Sequence, residues 1–299
     1  MKKKIGMHWF RYDLRTIDNP SLNHLSRNYD NVLGVYILDE VNSDPKLGSA
    51  SRVWLNYSLE YLKKQLNGNL IILKGNPRDC FDELIDFFDV EEISWNRCYE
   101  PWIIKRDKSL KIYLNEKIKV NSFNGSLLWE PWEILKNDGT PYKVFTPFYK
   151  RGCLLGLNPR VPKSEKINFF NHNFRVTNVS DLGLLENKKW EYKVLSQWKV
   201  GEDNSIEIMK SFFQNGVQNY SEGRNFPNKK NVSRLSPYLH WGQISPNSVW
   251  YEVKRVKNLK HDDLEVFKSE LGWREFAYYL LYHFPYIQKK NLKSNFDNF

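Results

Sequence analysis

Asn31-Val-Leu-Gly-Val-Tyr-Ile-Leu38 decides the reading of the fold. It is almost wholly apolar and shows no polar alternation. A strand with one wet face alternates, whereas a strand covered on both faces does not. The segment therefore reads as an inner strand with helices above and below it. Ile5-Gly-Met-His-Trp-Phe10 before it reads as a second buried strand. After it, Arg52 to Leu66 reads as a helix, because Val53, Leu55, Leu59, Leu62 and Leu66 recur at helical spacing and Gly68 stops the run. Asn69 to Lys74 is a third strand, and Gly75-Asn-Pro77 is a turn. Pro77 to Phe88 is a helix with Phe81, Leu84, Ile85 and Phe88 on one face. Glu92 to Trp95, Trp102 to Asn115 and Lys117 to Phe123 follow as strand, helix and strand. Regular alternation of this kind predicts an α/β domain with a doubly wound parallel sheet, in which ligands sit beyond the carboxyl ends of the strands. No G-x-G-x-x-G follows the first strand, and no G-x-x-x-x-G-K-[ST] occurs, so neither an ordinary dinucleotide site nor a P-loop is supported.

Residues 1–125 form this domain. Residues 126–195 read as a connector, since Pro131, Pro141, Pro147, Pro159 and Pro162 break any long helix and Gly139, Gly152 and Gly156 add turns. Between Pro101 and Arg175 there are 14 Lys or Arg against 6 Asp or Glu. Such a stretch suits contact with phosphates, and a solvated linker accounts for it equally well. In residues 196–299 the strands disappear. Asp203 to Asn215, Leu235 to Trp241, Pro246 to Val256 and Asp262 to Phe284 read as helices, so an all-helical part follows the α/β domain.

The 299-residue chain carries a net charge of +10, is 41% hydrophobic and 15% aromatic. Intrinsic disorder is excluded by that apolar content. No apolar run reaches the roughly 18–20 residues that span a bilayer, and His8, Arg11, Asp13 and Arg15 interrupt any secretory signal core. A cytoplasmic protein with no membrane partner is expected. Cys80, Cys98 and Cys153 are widely spaced and form no CxxC, so neither a disulfide framework nor a metal site is indicated. The charge and the aromatic excess together suit a protein that meets a polyanion or holds a planar cofactor; a lysine-rich surface over an aromatic core is the simpler account of composition alone.

Two stretches of the helical part carry chemistry. In Val232-Ser-Arg-Leu-Ser-Pro237, Ser233, Arg234, Leu235 and Ser236 stand at a helix start, where N–H groups, hydroxyls and a guanidinium suit an anion. Ordinary capping explains an isolated Ser-Pro more simply. In Phe267-Lys-Ser-Glu-Leu-Gly-Trp-Arg274, residues Glu270, Trp273 and Arg274 are spaced i, i+3 and i+4 and share a helix face. A carboxylate, an indole and a guanidinium together suit a stacked base and its phosphate. A surface ion pair beside a core tryptophan is the simpler alternative.

With these stretches the sequence resembles the DNA photolyase and cryptochrome family, most closely its cyclobutane-pyrimidine-dimer photolyases. The matching segments are His8-Trp-Phe-Arg-Tyr-Asp-Leu-Arg15 with Asp18-Asn19, Gly48-Ser-Ala-Ser-Arg52, Asn96-Arg-Cys-Tyr-Glu-Pro101, Trp198-Lys-Val-Gly-Glu202, Tyr220 to Pro227, Ser233 to Pro246 and Glu270 to Pro285, in family order. The resemblance implies an N-terminal antenna domain and a helical domain that holds FAD. It also implies an excited reduced flavin that lends an electron to a flipped dimer in UV-damaged DNA, so that the cyclobutane ring splits and the electron returns. Carried over by position, Tyr220, Val232, Ser233, Arg234, Leu235 and Ser236 grip the flavin's phosphate and ribitol region. Phe267 faces the flavin. Glu270 hydrogen-bonds the dimer and Trp273 packs against it, and Arg224 and Arg274 contact DNA or flavin.

Some positions depart from the family pattern. Val232 replaces a hydroxyl residue, Phe267 stands where many relatives have Trp, and Trp102-Ile103 lacks the polar pair of folate-binding members. A folate antenna is therefore not expected; a deazaflavin, a flavin or no antenna remain, with Arg11 and Arg52 as candidate contacts. Family members also continue beyond residue 299. The expectation is a truncated photolyase carrying only the first part of its flavin domain, with its Phe276 to Tyr286 helix left exposed, FAD poorly retained, little repair, and a second polypeptide supplying the rest. A cryptochrome-type photoreceptor and a flavin-free remnant with only its α/β domain intact are the alternatives; a (6-4) photolyase is a variant of the repair reading.

Overall fold

The computed structural model describes residues 4–175, 178–186, 188–226, 228–256 and 260–297. Pro227, at the end of one quoted segment, lies outside the described residues.

Five strands, β1 (Ile5–Phe10), β2 (Asn31–Leu38), β3 (Leu70–Lys74), β4 (Val90–Asn96) and β5 (Lys119–Phe123), form one sheet in the order β3-β2-β1-β4-β5. All pairings are parallel, with Ile5 opposite Asn31 and Gly34 opposite Leu70. β2 lacks alternation for the expected reason. Val32, Tyr36 and Leu38 enter one hydrophobic core with Leu55, Leu59 and Leu62, while Leu33, Val35 and Ile37 enter another with Phe81 and Leu84. The first core is closed by α1 (Pro20–Asn28) and α2 (Ser49–Gln65), the second by α3 (Pro77–Phe87) and α4 (Pro101–Asn115). α1 escaped the sequence reading. Its signals are local: Asn19 caps it by accepting the Leu22 N–H at 3.2 Å, Pro20 occupies its first turn, and its buried apolar residues are only Leu22 and Leu25.

Parts of the segment from 126 to 195 pack onto the cores, while others, Leu155 and Leu157 among them, are exposed. Val32 donates its N–H to the Asn168 carbonyl and Phe170 donates to that of Val32, so Phe169 lies beside β2 below the point where β3 begins. Phe174 enters the second core; Leu128, Trp129, Ile134, Phe148 and Tyr149 enter the first. α5 (Phe145–Pro147) runs into a π-helical turn over Phe148–Cys153, and α6 (Lys189–Gln197) adds a helix that the sequence reading left within the connector.

The helical part comprises α7 (Glu202–Ser211), α8 (Tyr220–Gly223), α9 (Ser236–His240), α10 (Pro246–Arg255) and α11 (His261–His283). One finding corrects the expectation of an exposed aromatic helix. Phe276 and Tyr279 are buried, because Phe148 and Tyr142 of the connector cover that face of α11, while Tyr278 and Tyr282 are half-buried and Tyr286 is exposed; the Tyr279 hydroxyl donates to the Ile134 carbonyl and accepts the Tyr142 N–H.

The His8 to Asn19 motif joins the two parts. His8 contacts Ser21 and Asp13, and Asn96 donates to Asp13 and Asn19. Buried Arg15 donates to the carbonyls of Ile17, Asp18, Gly125 and Gly242. Glu202 accepts the Thr16 and Ile17 N–H groups at 2.9 and 2.7 Å. Among the described residues, no helix is long and apolar enough to cross a membrane and no group of three His, Cys, Asp or Glu could hold a metal ion.

Candidate functional site

α11 carries one wall of a cleft of about 410 Å³. Phe267, Glu270, Leu271, Arg274 and Tyr278 fall at i, i+3, i+4, i+7 and i+11 and form a single stripe that lines it. The facing wall is Tyr220 from α8 with Ser233, Leu235, Ser236, Leu239 and His240 on and before α9. Phe267 is buried against Phe212, Phe213 and Tyr220, at centroid distances of 4.9, 5.4 and 5.5 Å. The Ser233 hydroxyl oxygen accepts the Leu235 N–H at 3.4 Å, which leaves its proton free to donate. α9 has only five residues. Its dipole is correspondingly small, so the hydroxyls rather than the helix end are the donors that this wall offers.

Glu270 pairs with Arg224 through one carboxylate oxygen, Oε1. No hydrogen bond to Oε2 is found among the described residues. The simple i,i+4 pair between Glu270 and Arg274 does not form; Arg274 donates to Glu275 at 2.9 Å and lies over the Tyr278 ring. Burial pushes the Tyr278 hydroxyl up to about 12, and burial, then the Arg274 charge, holds His240 below the usual imidazole range.

Four expected residues are not part of this lining. Arg224 pairs with Glu270 from outside it. Val232 is half exposed outside it. Arg234 turns away, its guanidinium 3.9 Å above the Trp198 ring and donating to the Gln197 carbonyl, so it does not join Ser233 and Ser236. Its φ of +55° goes with that turn of the chain. Trp273 lies neither in the core nor in the cleft wall. It is 49% exposed and stacks on Phe145 at 3.8 Å, with the ring planes 11° apart.

A second cleft, of about 720 Å³, opens at the carboxyl ends of β1 and β2, the side on which open α/β sheets bind ligands. Trp9, Tyr12, Tyr36, Trp102 and Ile103 line it with Arg11, Arg52 and Arg106. Both expected arginines are already committed. Arg11 bonds Asp107 and the Asn96 carbonyl, and Arg52 bonds Glu40 and the Gly183 carbonyl. Arg106, not singled out from the sequence, lies over the Trp9 and Trp102 rings and bonds Asp39 and Asp107. His240 lines both clefts.

The profile of the DNA photolyase family matches residues 7–165. The chain belongs to this family. The deoxyribodipyrimidine photo-lyase of Agrobacterium fabrum is 35% identical over 97% of this chain and 62% of its own length. Cryptochrome-2 of Arabidopsis thaliana is 28% identical over 96% of this chain and 50% of its own. The crystal structure of a class III photolyase from Agrobacterium tumefaciens superposes with a TM-score of 0.93 at 33% identity, covering the whole of this chain and 63% of that one. The chain thus spans about half to two thirds of the length of these relatives.

Within this photolyase-family chain, sequence reasoning missed Leu239, His240, Leu271 and Tyr278 as lining residues. Two were within reach: Leu271 and Tyr278 continue the helical stripe set by Phe267 and Arg274. Leu239 and His240 needed the fold.

Proposed function

We propose that the cleft between α11 and the Tyr220 to His240 segment forms one side of a flavin site, and that Glu270 and Trp273 beside it meet a pyrimidine dimer in UV-damaged DNA. The observation that carries this reading is the convergence in one cleft of an aromatic wall, two serine hydroxyls, a guanidinium and a carboxylate with a free oxygen. This donor set fits a large planar anion. Phe267 and Tyr220 offer flat apolar surface. Ser233 and Ser236 donate to phosphate or ribitol oxygens, and Arg274 supplies the balancing charge. Val232 contributes no hydroxyl, so the serines and Arg274 carry the anion between them.

FAD, when bound in its reduced form, supplies the light-excited electron that opens the cyclobutane ring. The chain's own groups position the reacting parts. Arg224 fixes one oxygen of Glu270, which aims the other at a base N–H. Trp273 presents a flat indole to a base that has left the stack, and a damaged base leaves it at lower cost than a paired one. The basic stretch from Pro101 to Arg175 supports contact with DNA phosphates.

The similarity to Arabidopsis cryptochrome-2 supports a second reading, a blue-light photoreceptor built on the same cleft. Illumination of the FAD-reconstituted protein with a dimer-containing oligonucleotide separates the two. Weak light-dependent loss of dimers, absent in the dark, is the expected result for a chain that spans 62% of its photo-lyase relative; retention of the oligonucleotide without splitting supports the photoreceptor.

A further inference from the structure

Trp273 is half exposed, yet its ring is not loose. Phe145 stacks on it at 3.8 Å and 11°, and Tyr149 stacks in turn on Phe145 at 5.4 Å and 10°. Phe276 meets both Trp273 and Phe145 edge-on, at 6.0 and 5.9 Å. Tyr149 is buried against α11, and it reaches the helix because position 272 is glycine: a Cβ there would lie 2.6 Å from the Tyr149 ring. Tyr142, three residues before Phe145, is tied to α11 through the Tyr279 hydroxyl at 2.9 Å. Three parallel rings therefore rise from the glycine on α11, and the last of them is an indole open to solvent.

From this we infer that Phe145 is a positioning residue, a platform that presets the Trp273 indole for a planar partner. The inference rests on the proposed packing of Trp273 against a DNA lesion and adds the residue that makes that packing selective. An exposed tryptophan on a bare helix surface samples several rotamers, and binding must then freeze one of them. A ring already clamped on its inner face loses little freedom when a base covers the outer one. The platform comes from the connector, far from α11 in sequence, so it also couples the connector's seating to lesion recognition.

Phe145 is partly buried and packs against the first core through Tyr149 and Phe276, so aliphatic and aromatic replacements that keep most of its bulk are used. F145L and F145M remove the ring and keep the volume; F145Y keeps the ring. Two readouts apply to the protein as it stands. Hydroxyl-radical footprinting read by mass spectrometry reports Trp273 alone: its oxidation should rise severalfold in F145L and F145M and stay at the wild-type level in F145Y. Anisotropy titrations then compare a dimer-containing with an undamaged oligonucleotide. F145L and F145M should lower the preference for the dimer by about two- to tenfold, the range of one aromatic pair, with undamaged-DNA affinity unchanged and F145Y restoring the preference. Unchanged Trp273 oxidation overturns the platform. Equal loss of affinity for both oligonucleotides also overturns it. W273A separates the two levels: if it abolishes the preference while F145L and F145M retain it, the platform falls and the lesion reading stands. If W273A leaves the preference intact, both fall.

Discussion

The Glu275 carboxylate accepts the Leu128 N–H at 2.7 Å, so the helix bearing Phe267, Glu270 and Trp273 is pinned by a buried acid to the segment that leaves β5. Glu275 is one residue from Arg274, which bonds it, and faces away from the cleft. Burial pushes its carboxyl up from about 4.5 to about 7.

A pH dependence follows from that shift. Below about pH 4.5 both folded and unfolded chains hold the proton. As pH rises, the unfolded chain releases it first and the folded one only near pH 7, so stability falls across the window, by about 3 kcal/mol for a shift of this size. Denaturation of wild type and Glu275→Gln between pH 4 and 8 checks this: the stability difference between them should change across the window and level off above it.

Arg15 satisfies four backbone carbonyls in a site without water access, including Gly125 at 2.7 Å and Gly242 at 3.0 Å. Arg15→Met fills the volume and orphans those carbonyls. A loss of about 3–5 kcal/mol is expected, since several buried carbonyls lose their donor at about 1–3 kcal/mol apiece. Urea titration measures it.

Gly242 has φ +64°, and a Cβ there would lie 2.0 Å from the Tyr12 carbonyl oxygen. The obstacle is backbone, which cannot swing aside. Gly242→Ala should cost about 2 kcal/mol or more, read as a fall in Tm of roughly 4 °C or more.

The same residues show what was and was not legible in the sequence. The sheet was readable because burial on both faces leaves a continuous apolar run, and the alternate sides taken by Val32 and Leu33 confirm that logic. Helical spacing put Glu270, Trp273 and Arg274 on one face of α11; Glu270 and Arg274 do line the cleft together, whereas Trp273 lies off its wall against Phe145. What spacing cannot give is the long-range partner. Phe145 beneath Trp273, Arg224 on Glu270 and Trp198 under Arg234 come from distant parts of the chain. Arg11 was a candidate antenna contact, yet it bonds Asp107 and the Asn96 carbonyl, and the neighbouring Arg15 spends its donors on carbonyls of the α/β and helical parts.

DNA binding through the basic stretch predicts a steep salt response. The logarithm of affinity for undamaged duplex should fall linearly with the logarithm of salt concentration, with a slope of roughly −0.9 per phosphate contacted. Anisotropy titrations between low and moderate salt measure that slope, and a flat response removes DNA from the account.

The most direct test of the central claim is a fluorescence titration of FAD against wild type and the Ser233→Ala, Ser236→Ala double variant. Neither hydroxyl is part of a hydrophobic core, so the fold is preserved. Saturable binding to wild type, weakened about tenfold or more once two hydrogen bonds to a charged group are lost, is the predicted result. Absence of saturable binding, or equal affinity in the two proteins, contradicts the assignment of this cleft to the flavin.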